Sequence, residues 1–462
     1  MTIDLQNQLA AALNELNSAI GRPSYKIVVS ANEINHNHGV GIFLHRLFPD
    51  TSDIYSIRSF DLYGGDHYFG DQSFCLQKKN ALFHEVLGEL QIKLGHINAK
   101  SILIIPYYPS DFILGLALKR LFNCPLCVFV MDDQNIYVDS VDDALVQQLL
   151  DEADLCFGIS RPLCEAYQDK FKQPFWFFPP VIEAALIQQE YPQVSSDQPV
   201  REPRGVLIGN IWSQRWLDQL RPLCRDSGVQ VDWYGNPNRN WINFTEAELE
   251  VDNIFFRGFL DESDLIQALK DAAFAVILTG SSQHSEDRPE LMRLSLPSRS
   301  CFMTATANIP LLVLGDPNSA IALFVKSAGL GVVCPYIQAD FGQAVQAICS
   351  PESQRRIRAN AFAVGQQLAG DGLGQWLWDS LTNNRPLDNR FEKLWPAETY
   401  HYQSVLVTAC EINFRHGTGV LLKRVFPAET DIVSVRSRDH YGGDQQWAGQ
   451  NFCFGEFASD RR

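Results

Sequence analysis

Two short loops of this chain carry residues that could perform chemistry. The first is HGVG, with His38, Gly39 and Gly41 between an apolar run and a helical pattern. Glycines let the backbone approach a ligand, and a helix N-terminus favours an anion. We therefore expect Gly39 and Gly41 to bind a ligand and His38 to be catalytic. A tight turn between strand and helix is the alternative interpretation.

The second loop is DLYGGD, whose two glycines suit a turn. It contains Asp61, Tyr63 and Asp66, and Arg58 precedes it. These four residues recur in a second copy of the loop, and core packing explains recurring polar residues poorly. We expect the four to contact an acceptor or substrate. An Arg–Asp pair that holds the loop is an equally good interpretation.

Two neighbouring carboxylates, Asp132 and Asp133, end the apolar run VFVMDD. Functional carboxylates lie at strand ends in parallel sheets, but Asp also caps the following helix. Both interpretations stay open, and Asp133 is the predicted catalytic carboxylate. Cys124 and Cys127 form one CxxC without a second ligand pair, which favours buried thiols and predicts no metal site.

Both loops belong to a long internal repeat. Residues 31–75 match residues 409–453 without a gap, and roughly half of the positions are identical. The offset is 378 throughout, for example from Glu33 to Glu411 and from Asp66 to Asp444. A period of this length is far too long for a solenoid. The chain therefore contains one module and the opening of a second.

Composition sets limits on the function. The 462 residues are 46% hydrophobic and 20% charged, with a net charge of −16. This balance argues against nucleic acid as a partner, because phosphate binding needs a basic face. Weak attachment to an anionic membrane through a local basic patch stays open. The first 20 residues resemble an amphipathic helix and no signal peptide, so we expect a cytoplasmic chain with reduced cysteines.

From residue 25 onward, short apolar runs alternate with longer helical patterns. Near-continuous apolar strands are typical of parallel sheets covered by helices on both faces. The alternation pauses in the polar stretch QQEYPQVSSDQPVREPRG and then restarts. We predict an α/β fold with two Rossmann-like, doubly wound domains facing across a cleft. The predicted limits are 1–183, 184–385, a linker at 386–400, and a partial repeat at 401–462.

The order of these segments resembles the GT-B fold glycosyltransferases, especially the family 4-like group. In the second domain the similar segments are GVLIGNIW, VDWYGN, NIFFRGFLDESDLIQALKDAAFAVIL and LSLPSRSCFMTATANIPLLVLG. In the first domain HGVG looks like the glycine loop after the first strand of that fold. The segments VFVMDD and GISRPLCEAYQDKFKQPFWFFPPVI resemble the strand and helix that lead to the hinge. The resemblance covers about residues 25–385.

The resemblance implies transfer of a sugar from a nucleotide-diphosphate donor to a glycan or glycoconjugate acceptor held by the first domain. It also implies retention of anomeric configuration, and neither a metal nor another cofactor. Related enzymes contact the diphosphate with a cation after the GNI-type strand and one in a PSK motif. Arg215 and Arg299 match these positions, with surface salt bridges as the alternative. The predicted donor site further includes Gly39, Gly41, Asn210, Ser298 and Ser319.

One departure from the family pattern concerns the donor sugar. Many family 4 enzymes carry two glutamates seven residues apart, but no carboxylate lies between Arg299 and Pro310. The carboxylate contact to the donor sugar is therefore missing or comes from elsewhere. His284, Glu286 and Asp287 in the preceding polar segment are candidates for sugar hydroxyls, and solvated loop residues are the alternative.

The second copy, at 401–462, is too short to complete a parallel α/β domain. We expect either a remnant of a tandem protein or an accessory lid or sheet. For the whole chain, the leading hypothesis is a glycosyltransferase of polysaccharide or glycoconjugate assembly. The alternatives are a non-catalytic GT-B module that binds a nucleotide sugar or glycan, and a sugar-nucleotide epimerase. The sequence does not predict the oligomeric state.

Overall fold

The computed structural model describes residues 21–77, 82–191, 203–236, 241–280, 287, 293–395, 404–412, 417–425, 429–437 and 448–453. The chain divides into two compact units, Met1–Trp395 and Pro396–Arg462. The first unit contains two parallel sheets of seven and six strands, and the second unit contains a sheet of three strands. The predicted α/β class with two doubly wound sheets is confirmed.

The first sheet contains β1 (Ser24–Ser30), β2 (Ile54–Arg58), β3 (Gln72–Cys75), β4 (Asn98–Ile105), β5 (Leu126–Val130), β6 (Leu155–Gly158) and β7 (Trp176–Phe177). The strand order is β3-β2-β1-β4-β5-β6-β7, and all neighbours are parallel. The chain runs outward from β1 and then returns to β4 on its other side. The crevice for a ligand therefore lies at the loops after β1 and β4.

The second sheet repeats this plan. Its strands are β8 (Arg204–Ile208), β9 (Gln230–Tyr234), β10 (Ile254–Gly258), β11 (Phe274–Leu278), β12 (Leu311–Leu314) and β13 (Gly331–Cys334). Their order is β10-β9-β8-β11-β12-β13, with parallel neighbours. Here the strand order reverses between β8 and β11. The loop GN after β8 therefore lies at the corresponding crevice.

Amphipathic helices cover both sheets. In the first half they are α1 (Gly39–Leu47), α2 (Phe83–Leu94), α3 (Pro109–Phe122), α4 (Asp143–Asp151) and α5 (Arg161–Phe171), followed by a 3₁₀ turn at Ala184–Leu186. In the second half they are α6 (Gln214–Ser227), α7 (Glu246–Val251), α8 (Glu262–Asp271), α9 (Ser298–Ala307), α10 (Ala320–Ser327), α11 (Gln338–Cys349), α12 (Pro351–Gln367), α13 (Leu373–Thr382) and α14 (Arg390–Leu394).

The last two helices of the first unit return to the first sheet. The ring of Trp376 lies 5.8 Å from that of Phe178, and the ring of Phe391 lies 5.1 Å from it. Within the predicted linker 386–400, residues 390–394 are therefore helical, with Phe391 and Leu394 buried. The predicted domain limits stay predictions.

The second unit contains β14 (Ser404–Thr408), α15 (Gly417–Val425), β15 (Glu429–Arg436) and β16 (Ala448–Cys453). Its parallel sheet has the order β14-β15-β16. Ser404 pairs with Ile432, just as Lys26 pairs with Ile54 at positions 378 lower. Val433 pairs with Gln450, just as Tyr55 pairs with Gln72. The repeat thus preserves element order and register as well as sequence.

Two searches among the described residues found nothing. No helix there is long and apolar enough to cross a membrane. No group of three or more His, Cys, Asp or Glu side chains in those parts is arranged to hold a metal ion. The ten cysteines with described side chains are free thiols, and Cys124 and Cys127 are buried. Burial raises the pKa of Cys124 to about 11, as expected for a thiol packed in a core.

Candidate functional site

His38 stands at the mouth of the crevice, as the residue that precedes helix α1. Its Nε2 donates a hydrogen bond to the backbone oxygen of Glu33 at 2.5 Å, and its ring stacks on Tyr63 with centroids 4.3 Å apart. Because a carbonyl only accepts, Nε2 carries the proton and Nδ1 presents a lone pair. Burial lowers the pKa of His38, outweighing the hydrogen bond to Glu33, which favours the neutral ring at pH 7.

Glu33 fixes the DLYGGD loop through hydrogen bonds to the loop backbone. Its carboxylate, which is 3% exposed, accepts N–H hydrogen bonds from Leu62 at 2.8 Å, Tyr63 at 3.1 Å and Gly64 at 3.0 Å. Burial opposes ionisation of this carboxyl, but the backbone donors outweigh it and lower the pKa of Glu33. The ionised carboxylate thus fixes the loop that stacks Tyr63 on His38.

Further polar side chains complete this support. Asn35 and Asn37 each donate from Nδ2 to the backbone oxygen of Gly64, at 2.7 and 3.1 Å. Nδ1 of His67 accepts from the Ile34 N–H at 2.8 Å, and its Nε2 lies 3.0 Å from Oγ of Ser56. Desolvation, with the nearby Arg58, lowers the pKa of His67 to about 4. His67 is therefore a neutral bridge between the loops.

The residues of this loop that we expect to contact the acceptor substrate lie in two different environments. Tyr63 is 45% exposed beside His38. Arg58 and Asp61 form an ion pair, with Nε and Oδ1 2.5 Å apart, and this bond lowers the pKa of Asp61. Asp66 lies exposed on the same loop, and its interaction with Tyr68 raises the pKa of that tyrosine. The structure thus places Tyr63 at the crevice, whereas Arg58 and Asp61 form an ion pair with each other.

Asp133 is placed differently from the expected catalytic carboxylate. Its side chain is 0% exposed, and its oxygens accept N–H hydrogen bonds from Asn135, Ile136 and Tyr137 at 3.0, 2.8 and 2.8 Å. A carboxylate bonded in this way shapes the loop after β5, so the geometry does not support contact with a substrate. We assign Asp133 to positioning of Tyr137.

Asp132 is the more accessible of the two carboxylates. Its Oδ2 accepts a hydrogen bond of 2.7 Å from the hydroxyl of Tyr107, which follows β4. Burial, then the charge of Asp132, raises the pKa of Tyr107. Burial is the largest cause that raises the pKa of Tyr63, and Tyr108 and Asp132 raise it further. Tyr63, Tyr107, Tyr108 and Asp132 therefore share one polar and aromatic region.

Arg299 lies in the first turn of α9 in the second domain. Its Nη1 donates to the backbone oxygens of Ile208 at 3.0 Å and Asn210 at 2.9 Å, at the end of β8. Its buried Nε has no partner within the described residues. Gly209, with φ of 80°, lets the chain pass close to this guanidinium. Burial lowers the pKa of Arg299 to about 10, so it remains a cation at neutral pH.

The two predicted ligand-binding loops meet across the crevice. A methyl group added at Gly39 would lie 3.6 Å from Oγ of Ser298 in the second domain. The first turn of α1 therefore faces the first turn of α9, which carries Arg299. The halves also contact each other through the Arg46–Glu262 ion pair at 2.6 Å and Arg293 stacked 4.5 Å above the Tyr137 ring.

Arg215 lies near the same end of the second sheet. Its Nε is 3.9 Å from Oδ1 of Asp287, which also accepts a 3.0 Å hydrogen bond from Trp216. Burial raises the pKa of Tyr336, while nearby Arg215 and Arg299 oppose that rise. The structure therefore brings both arginines to the Tyr336 region. Asp287 is buried, and the other two candidates of its segment, His284 and Glu286, lie outside the described residues.

Two other predicted donor residues occupy structural positions. A methyl group at Gly41 would come within 2.0 Å of the Asn35 backbone oxygen, so this glycine permits close packing of α1. Ser319 is 1% exposed and caps α10, accepting from the Ala322 N–H at 3.4 Å. A contact of either residue with the sugar donor stays a prediction, and this geometry does not support it.

Sequence reasoning did not select Glu33, Asn35, His67 and Tyr107 as site residues. For Glu33 a signal existed, because the repeat retains it as Glu411. For Tyr107 and His67 no motif pointed to a role. Their positions depend on the strand order, which brings distant loops to one edge of the sheet.

Comparison with known proteins gives a consistent result for the fold. No protein-family model and no curated protein matches the chain. Sucrose-phosphate synthase from Thermosynechococcus elongatus is similar in structure, with 12% identity and a TM-score of 0.55, covering 78% of this chain and 99% of that chain. HepE from Anabaena, solved with UDP, has 13% identity and a TM-score of 0.54, covering 78% and 100%.

A third similar structure is an α,α-trehalose-phosphate synthase (UDP-forming) from Burkholderia xenovorans, solved with glucose-6-phosphate. It has 10% identity and a TM-score of 0.54, and covers 78% of this chain and 100% of that chain. At these identities the comparison concerns the fold, and the two parallel sheets with their crevice agree with it. The chain has the GT-B fold of these solved structures.

Proposed function

We propose that this chain is a glycosyltransferase that moves a sugar from a nucleotide-diphosphate sugar to an acceptor bound by the first domain. We place its activity in the cytoplasm, in polysaccharide or glycoconjugate assembly. The observation that carries the proposal is the opposition of two helix starts across the crevice. Gly39 opens α1 on one side, and Ser298 and Arg299 open α9 on the other.

Arg299 suits a diphosphate for a specific reason. Two backbone oxygens fix its guanidinium, and within the described residues no carboxylate forms an ion pair with it. A fixed cation that no carboxylate neutralises attracts an anion strongly, and Arg can form two parallel bonds to phosphate oxygens. Arg215 is less suited, since Asp287 lies 3.9 Å from its Nε.

We include independence from metal ions in the proposal, and the two helix N-termini support it. Each helix N-terminus carries partial positive charge and unpaired N–H groups. Two such ends beside an arginine would stabilise a leaving diphosphate, a role that a divalent cation plays elsewhere. Retention of anomeric configuration is the second finer element of the proposal and rests on the family resemblance alone.

Thermal unfolding with a panel of UDP, GDP, ADP and UDP-glucose tests the donor site. A ligand that binds only the native state raises the melting temperature. UDP is the first candidate, because two solved structures of this fold hold UDP or UDP-glucose. We expect Arg299→Ala to abolish the shift, Arg299→Lys to keep part of it, and Arg225→Ala to leave it unchanged, since Arg225 is half-exposed. A shift that survives Arg299→Ala would overturn this assignment.

A non-catalytic module that binds a nucleotide sugar or glycan is the second candidate function. The absence of a carboxylate between Arg299 and Pro310 favours it. Release of free UDP from UDP-glucose, with and without an acceptor panel, separates the two. Turnover supports the transferase, and a thermal shift without any turnover supports the binding module.

A further inference from the structure

We infer that the first domain binds its acceptor as an uncharged sugar, on an aromatic surface formed by Tyr63, Tyr107 and Tyr108 beside His38. This inference rests on the proposed function and names the class of acceptor. It depends on three observations: where the aromatic rings lie, which hydrogen-bonding groups accompany them, and where the cations of the domain lie.

The rings lie at the crevice that the strand order creates. Tyr107 and Tyr108 follow β4, and His38 follows β1, on either side of the point where the order reverses. Tyr63 is 45% and Tyr108 36% exposed, although both are large side chains with apolar faces. The C–H faces of a sugar ring pack on exposed aromatic faces in the same way as other apolar surfaces.

The polar groups beside these rings are mainly acceptors. Nδ1 of His38 has a lone pair, because Nε2 donates to Glu33. The Tyr107 hydroxyl donates to Asp132, which leaves its own oxygen lone pairs available to accept. Sugar hydroxyls donate to such groups. The carboxylate of Asp132 would also repel a phosphate or carboxylate on the acceptor.

The cations of the first domain are elsewhere or already paired. Among the described residues at the carboxyl edge of the first sheet, Arg58 pairs with Asp61 and Arg161 with Glu392. The other described lysines and arginines between residues 21 and 191 lie before or early in strands, or in the last turns and C-terminal caps of helices. Those positions belong to the opposite edge of a parallel α/β domain.

The main alternative is a sugar phosphate, as in the similar structure solved with glucose-6-phosphate. Arg293 of the second domain is the described cation that could serve it, because its guanidinium lies 4.5 Å above the Tyr137 ring. A phosphorylated acceptor would therefore depend on Arg293, whereas an uncharged sugar would depend on Tyr63.

Saturation-transfer NMR with the full chain and UDP tests this choice. The probes are methyl glucoside, methyl galactoside and methyl mannoside, against glucose-6-phosphate and mannose-6-phosphate. We expect signals from at least one methyl glycoside and a loss of about tenfold in its affinity in Tyr63→Ala. Tyr68→Ala is the matched control, since Tyr68 lies on the same loop, is 80% exposed, and should leave binding unchanged.

A second variant gives a readout that a folding defect would not produce. Asp132→Asn removes the negative charge, so we expect it to weaken methyl glycosides several-fold and to strengthen glucose-6-phosphate. Three results would overturn the inference. The first is that sugar phosphates bind the wild-type chain more tightly than methyl glycosides do and lose this binding in Arg293→Gln. The second is that no methyl glycoside binds, and the third is that Tyr63→Ala and Tyr68→Ala have equal effects. Because glycoside binding and the nucleotide shift are read separately, either proposal can fail alone.

Discussion

The two copies of the repeat have the same local structure and different surroundings. Strands, helix and register in residues 404–453 correspond to those in residues 26–75 at the constant offset of 378. Val29 is 0% exposed in the first copy, but its counterpart Val407 is 72% exposed. Phe43 is 2% exposed, but Leu421 is 59% exposed. Local sequence therefore determines elements and register, whereas burial comes from the strands and helices that follow.

Some positions are buried in both copies. Glu33 and Glu411 are 3% and 1% exposed, and Ser56 and Ser434 are both 0% exposed. In the first copy these two side chains bond to the loop after the second strand, so the repeated segment itself supplies their neighbours. The repeat thus contains one small self-sufficient polar core and one apolar face that needs a further partner.

The largest expected effect tests the difference in burial. Val29→Asp places a carboxylate in the core and should destabilise the first unit by about 5 kcal/mol. Val407→Asp should change stability by no more than about 0.5 kcal/mol, because Val407 is exposed. Calorimetry of the full chain measures both. Equal losses would show that Val407 is covered in solution and that the comparison is wrong at this position.

A smaller effect is expected from Glu33→Gln. The amide keeps one acceptor oxygen but turns an NH₂ group toward the N–H donors of Leu62, Tyr63 and Gly64. We expect a loss of about 3 kcal/mol in unfolding free energy, together with faster hydrogen exchange at these three amides.

Glu411→Gln is the matched change in the second copy. It should leave hydrogen exchange of residues 62–64 unchanged, because that loop depends on Glu33. If Glu33→Gln leaves the three amides as protected as in wild type, then the loop is held by Asn35 and Asn37 instead.

His67 offers a pH test, because the repeat has Gln445 at its counterpart position. Desolvation lowers the folded pKa of His67 to about 4 from an ordinary value of 6.5. The unfolded chain therefore binds a proton first as the pH falls, so stability is full above pH 6.5 and falls between 6.5 and 4. His67→Gln should remove the His67 contribution, which solvent screening of the part-exposed ring reduces from the full value of the pKa shift to about 2 kcal/mol. The glutamine amide keeps an acceptor for the Ile34 N–H and a donor for Oγ of Ser56. Melting temperatures from pH 7 to pH 4 measure the His67 contribution, and identical slopes would contradict it.

These features show which parts of the molecule the sequence could predict. The alternation of apolar runs and helical patterns predicted both sheets, because buried parallel strands are nearly all apolar. The glycine loop at residue 39 and Arg299 were predicted from local motifs, and the structure brings them to facing helix starts. Their positions at helix starts follow from their own short segments, whereas their roles in binding stay predictions.

Other features depend on contacts that a local pattern does not contain. The strand-end rule selected Asp133, but it cannot distinguish a carboxylate that faces a ligand from one that accepts N–H donors of its own loop. The donors to Glu33 lie 29 to 31 residues away, and Tyr107 approaches Asp132 across 25 residues. Which distant loops meet follows from strand order, which periodicity leaves open.

The smallest expected effect concerns the two interpretations of the DLYGGD loop. Arg58 and Asp61 form an ion pair of 2.5 Å, but the Asp61 side chain is 44% exposed. Solvent screening limits such a pair to about 0.5 kcal/mol, so Asp61→Asn should barely change the melting temperature. In high salt the change should be smaller still. If Asp61 only pairs with Arg58, sugar binding stays at the wild-type level. If Asp61 contacts the acceptor, Asp61→Asn weakens methyl glycoside binding with no loss of stability, and the acceptor surface then extends beyond Tyr63 to the ion pair.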